Sequence, residues 1–199
     1  MAVQATEFRV VIESLPMIET ERAVLTVLQP DQAGLLLEYV TENQEHLEPW
    51  EPERDGHYFT LEGCRERLER GLAGFRAGSS VQFSALAGDR SRMVGNCNFS
   101  NIVEGPFRAC TLGYAIAQRD QGTGLMREIL DAGIDYMFQV RDLHRIMANH
   151  IPNNHRSAAL LRSLGFQREG YAKAYLNING RWEDHVLNAL INPAHPGGD

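Results

Sequence analysis

The chain has 199 residues, 43% hydrophobic and 23% charged, a length and balance that fit one soluble domain with a real core. Nineteen basic against 26 acidic side chains leave a net charge of −7, which argues against a direct grip on DNA or RNA phosphates. No run of about 18 apolar residues is present, so no membrane-spanning helix is expected, and Met1 to Pro16 carries Glu7, Arg9 and Glu13 in place of a secretory pattern, which points to the cytoplasm.

Residues 1–199 read as a single domain, with 1–18 as an N-terminal arm. Glu21 to Leu28 alternates and is rich in Val and Leu, so a strand is expected. Pro30 and Asp31 open a helix whose apolar face is Ala33, Leu36, Leu37 and Val40. Asn43 to Phe59, with two prolines and many charges, reads as a long loop. Leu61 to Ala77 is a second helix stopped by Gly78. Three strands follow, Val81 to Ala87, Met93 to Val103 and Ala109 to Ile116, separated by the turns at Gly88–Ser91 and Gly105-Pro106.

The period then changes. Gly124 to Val140 spaces Leu125, Ile129, Ala132, Tyr136 and Val140 as a helix does. His144 to Ile151 is a strand, and Ser157 to Leu164 a short helix closed by Gly165. Strands at Gln167 to Ile178 and Trp182 to Ile191 flank the Asn179-Gly180 turn, and residues 192–199 read as a flexible tail. The order predicts an α+β domain, a mixed and mostly antiparallel sheet with helices on both faces.

The most informative segment is Gln121-Gly122-Thr123-Gly124-Leu125-Met126, which follows a strand and opens a long helix. Successive backbone N–H groups and the helix dipole converge there on one spot that favours an anion. A Walker A loop is excluded, because the only lysine is Lys173, preceded by Ala172. A dinucleotide fingerprint needs a third glycine where Arg127 stands. A plain turn and a coenzyme A cradle stay open at this point.

The loop resembles the signature of the GNAT N-acetyltransferase superfamily, with Gln121 and Gly124 in register and Met126 where a small residue is usual. Asn154-His155-Arg156-Ser157 is similar to the family's Asn-x-x-Ser, and Leu160 to Phe166 to the helix that ends in Leu-Gly-Phe. A finer resemblance is to the bacterial ribosomal-protein-alanine N-acetyltransferases, which modify the fifth protein of the small ribosomal subunit. It is carried by His46 to Pro52, Asn98 to Asn101, His144 to Asn149, Glu169 to Lys173 and Gly180 to Leu187, so that it spans residues 20–190.

The resemblance implies a sheet splayed at the coenzyme site and direct acetyl transfer from acetyl-CoA. It implies a cofactor site at Leu112, Tyr114, Ala115, Ile116, Gln121, Gly122, Thr123, Gly124, Leu125, Met126, Asn154 and Ser157. Free backbone groups of Tyr114 to Ile116 would pair with pantetheine, and an N–H near Tyr114 would serve as oxyanion donor. Ser157 is the candidate acid for the departing thiolate, or else a helix cap, a role Asn154 can also fill. Cys110 to Ile116 holds no glutamate to act as base.

For the acceptor, Trp50 could wall a peptide slot and Glu51 or Glu48 hold its amine, with Asn98 and Ser100 on one strand face as further contacts. Residues 38–69 hold ten Asp or Glu against three Arg. That strip is either a solvated face or a surface for a basic partner, such as a ribosomal protein N-terminus on the assembling small subunit. A small amine such as a polyamine is the rival acceptor, and a non-catalytic coenzyme A-binding module the rival role. His144, His150 and His155 lack metal-ligand spacing, so no metal is expected. Cys64, Cys97 and Cys110 form no CxxC.

Overall fold

The computed structural model describes residues 14–195. Eight strands form one sheet: β1 (Met17–Glu19), β2 (Ala23–Thr26), β3 (Val81–Ala87), β4 (Met93–Val103), β5 (Ala109–Ile116), β6 (Arg145–His150), β7 (Gln167–Ile178) and β8 (Arg181–Ile191). Their spatial order is β1-β2-β3-β4-β5-β6-β8-β7. Every neighbouring pair is antiparallel except β5 and β6, which run parallel. The helices are α1 (Ala33–Glu42), α2 (Gln44–Leu47), α3 (Leu61–Arg76), α4 (Leu125–Gln139) and α5 (His155–Ser163).

Strand alternation sends neighbouring residues of β3 and β4 to opposite faces. Phe83, Cys97 and Phe99 go to one face with α4, where a Cβ on Gly133 would touch Cys97 and Phe99. Phe83 meets Phe99 and Tyr136 edge-on, at 6.4 Å and 5.2 Å between ring centres. Each such buried aromatic contributes on the order of 1.5–3 kcal/mol. Gln82, Ser84, Asn96 and Asn98 point to the other face, where α1 and α3 pack through Tyr39, Val40, Cys64 and Leu68. Helices therefore cover both faces, as the order of elements predicts.

Three expectations are corrected. Met17–Glu19 of the expected arm pairs with β2 as an edge strand; residues 1–13 lie outside the described residues. Asn192, placed in the flexible tail, is buried, and its Nδ2 donates to the Leu143 carbonyl at 2.9 Å; residues 196–199 lie outside the described residues. The expected long loop at 43–59 holds α2 and two single turns of 3-10 helix, at Glu48–Trp50 and Gly56–Phe59.

Two features position the site. The β5–β6 ladder stops at Thr111 and Met147. Beyond it β5 still pairs with β4 out to Ile116, and β6 with β8 out to His150. The sheet is thus split between β5 and β6, and one edge of β5 from Leu112 to Ile116 is unpaired. Secondly, the buried Asn43 ends α1 and ties it to the approach of the glycine loop. Its Nδ2 donates to the Tyr39 carbonyl at 2.8 Å, and its Oδ1 accepts from the Gln118 N–H at 2.8 Å.

Candidate active site

A cleft of about 810 Å³ opens at the split, a size usual for small-molecule sites. One wall is β5 through Tyr114, Ala115 and Ile116; another is the loop and first turn of α4 through Gln121, Gly122, Gly124, Leu125 and Met126. The start of α5 closes it with Asn154, His155, Arg156 and Ser157.

The loop has the conformation an anion cradle needs. Gly122 and Gly124 both take positive φ, 74° and 80°, a region that glycine enters without steric cost. A Cβ on Gly122 would meet nothing within 4 Å. The amides of Gly122, Thr123 and Gly124 make no hydrogen bond among the described residues, so they stay available to an anion at the positive end of α4. The loop is braced from outside. Arg22 donates to the Thr123 carbonyl at 2.9 Å and pairs with Glu128 at 2.7 Å. Arg92 grips Asp120 with two bonds of 2.6 and 2.8 Å, and the Thr123 hydroxyl donates to the Asp120 carbonyl at 2.8 Å.

Deeper in the cleft the Tyr114 hydroxyl lies 2.7 Å from Ser157 Oγ. Burial pushes the Tyr114 phenol up to about 12, with the Ser157 hydrogen bond pulling the other way. The helix cap is supplied by Asn154, whose Oδ1 accepts from the Ser157 N–H at 3.0 Å. Asn154 is the N-cap of α5, and the Ser157 hydroxyl is left to Tyr114. At the mouth, Gln121 bridges two elements: its Oε1 accepts from Arg156 at 2.6 Å, and its Nε2 lies 2.8 Å from His46 Nε2.

A second cavity, about 470 Å³, lies on the α1–α3 face. Gln82, Ser84, Asn96 and Asn98 form its polar floor, with Tyr39, Tyr58 and Glu48 among its walls. Leu47 and Glu51 line both cavities, so the two spaces meet at the Glu51 segment. The Asn179 N–H of the β7–β8 turn donates to the Glu51 carbonyl at 2.9 Å and pins that segment.

Residues 22–167 match the family model described as an acetyltransferase (GNAT) domain.

This chain belongs to the GNAT acetyltransferase family.

It is 46% identical to the [Ribosomal protein uS5]-alanine N-acetyltransferase of Escherichia coli (strain K12), over 88% of this chain and 91% of that protein. The crystal structure of ribosomal-protein-S5-alanine acetyltransferase from Vibrio fischeri superposes with a TM-score of 0.85 at 38% identity, covering 89% of this chain and 97% of that one. Mycobacterium smegmatis RimJ, in complex with CoA-disulfide, matches at TM-score 0.83 and 28% identity, over 92% of this chain and 89% of that one.

As a GNAT acyltransferase the chain has a cleft whose residues fit coenzyme A. The open amides suit a pyrophosphate, and the free edge of β5 suits a chain of amides. Most residues singled out in the sequence converge on these two cavities; four are placed otherwise. Leu112 is buried in the core rather than in the cleft wall. Thr123 braces the loop with its hydroxyl and offers only its amide. Trp50 lines the cleft between β5 and α5 and not the second cavity. Ser100 lines neither cavity, because its Oγ is held 3.0 Å from Thr111 Oγ1 farther along β4. The Tyr114 phenol, Arg22, Arg92 and Tyr39 enter the site unannounced by any motif.

Proposed function

We propose that this enzyme transfers the acetyl group of acetyl-CoA to the N-terminal alanine amine of a ribosomal protein, by direct attack of the amine on the thioester. The observation that carries the reading is the meeting of two cavities at Glu51, one fitted to coenzyme A and one polar, with three glutamates and three arginines in its wall. The 46% identity to an enzyme named for uS5 alanine makes the uS5 N-terminus the first acceptor to test.

When bound, acetyl-CoA supplies an activated acyl group. The Gly122, Thr123 and Gly124 amides hold its pyrophosphate, and backbone groups of Tyr114 to Ile116 pair with its pantetheine arm. The N–H near Tyr114 donates to the thioester oxygen as charge develops there. An N-terminal amine with a pKa of ~7.7–8.0 is neutral in roughly a tenth of molecules at pH 7, so little base strength is required. Of the two carboxylates lining the cleft, Asp120 is gripped by two Arg92 bonds of 2.6 and 2.8 Å, whereas Glu51 has one longer contact of 3.4 Å to Arg54, so Glu51 is the more available to hold the ammonium and take its proton.

The paired hydroxyls of Tyr114 and Ser157, 2.7 Å apart in the cleft, would serve the leaving sulfur of bound acetyl-CoA. A thiol near ~8.5 lies well below a phenol held at about 12. Full proton transfer from resting Tyr114 to a free thiolate would be uphill by about 5 kcal/mol. The pair therefore acts by donating a hydrogen bond to the developing thiolate, whose last proton comes from the attacking amine or solvent.

A peptide with a free N-terminal alanine and an internal lysine tests the acceptor class. Fragment-ion mapping is expected to find the acetyl group on the terminus alone, since a lysine amine at ~10.4 is almost wholly protonated at pH 7. Acetyl groups on the lysine would refute an α-amine enzyme.

A further inference from the structure

Tyr39 stands on α1 in the wall of the second cavity, only 3% exposed. Its hydroxyl has no hydrogen-bond partner among the described residues. Buried polar groups in native proteins are nearly always paired, so an orphaned hydroxyl in a cavity wall marks a place where a ligand supplies the partner. The neighbourhood is otherwise well satisfied. Asn43 completes the Tyr39 carbonyl and the Gln118 amide. The Tyr58 ring is covered by Arg67 at 3.6 Å and Arg54 at 4.5 Å.

Burial and the Glu51 charge both raise the Tyr39 pKa, so the phenol stays protonated and has a hydrogen to donate. An attacking amine is a poor recipient, since a hydrogen bond to its lone pair would blunt the nucleophile. The carbonyl oxygen of the acceptor's first residue is the suitable one. It sits one carbon away from the amine-bearing carbon, on the side away from the thioester.

We infer that Tyr39 is an acceptor-positioning residue, donating from the second cavity to the carbonyl of the acceptor's first residue while Glu51 holds the amine. The inference rests on the proposed peptide acceptor and deepens it. It supplies a physical reason for preferring a peptide over a polyamine, which has amines but no carbonyl to receive this bond.

The test combines Tyr39→Phe with an alanine peptide whose first amide is replaced by a trans-alkene. With the parent peptide, Tyr39→Phe is expected to lower kcat/KM about tenfold, or ~1.4 kcal/mol. The KM for acetyl-CoA should stay unchanged, and the thermal midpoint should hold or rise as a buried orphan is removed. The wild type should lose a similar factor on the alkene peptide, and Tyr39→Phe should no longer distinguish the two peptides. An unchanged kcat/KM in Tyr39→Phe would overturn the inference alone. So would a wild type that turns over both peptides equally, whatever the stability of the variant. A wild type inactive on any alanine peptide would overturn the proposed function, and this inference with it.

Discussion

Tyr114→Phe is expected to lower kcat by about 10²- to 10³-fold, the cost of losing one donor aimed at developing charge. The KM values for peptide and acetyl-CoA should move little, because the phenol serves the leaving sulfur and not the bound ground state. Ser157→Ala should lower kcat in the same direction. The hydroxyls are 2.7 Å apart and act as one unit, so the double variant should be no slower than the worse single one. Asn154 caps α5, so Ser157→Ala should leave the thermal midpoint within a few degrees of wild type. Stopped-turnover kinetics and a melt on the same preparation separate these outcomes. A normal kcat in Tyr114→Phe would remove the pair from the chemistry.

Gly122→Asp is expected to weaken coenzyme A binding by at least about tenfold, or ~1.4 kcal/mol, measured by calorimetry. The backbone at Gly122 has φ 74° and open space around an added Cβ. Aspartate is among the few side-chain residues that visit this region, so the variant should fold. Its carboxylate would then stand beside the free amides of the loop and repel the pyrophosphate. Gly124 is the poorer choice, since a side chain there would run toward Arg22 Nη2, 3.8 Å from the ideal Cβ, and could be neutralised by it. Full affinity in a folded Gly122→Asp protein would place the coenzyme phosphates elsewhere.

The strands were legible because local alternation and strong turns agree. Val81–Ala87, Met93–Val103 and Ala109–Ile116 are bounded by Gly-Asp and Gly-Pro turns, and β3, β4 and β5 begin and end there. The loop at Gln121 to Met126 was legible for a similar reason, since its chemistry lies in consecutive backbone groups. What sequence could not reveal is non-local. Nothing in Thr111 or Leu112 themselves announces that the β5–β6 ladder stops between them; the splay that opens the cleft was expected only from the family resemblance. Tyr114 drew attention only for its backbone, because its phenol gains meaning from Ser157, 43 residues later. Asn98 and Ser100 do share a face, but alternation fixes the face and not the depth, and Ser100 lies beyond the cavity. The four residues of α2 are too few for periodicity to register, so His46 and Leu47 could not be placed against the cleft. Tyr39 sits within an apolar helix face and reads as core until its unpaired hydroxyl is seen.

The proposed product is a ribosomal protein acetylated on its N-terminal alanine. Its most direct test is the intact mass of the ribosomal proteins from cells with and without this enzyme, with fragment mapping of any species that shifts. The expected result is one protein, uS5, lighter by a single acetyl group in the deleted strain, with the difference localised to its N-terminal alanine and restored by the wild-type gene. A uS5 of identical mass in both strains, with every other ribosomal protein unchanged, would contradict a ribosomal acceptor.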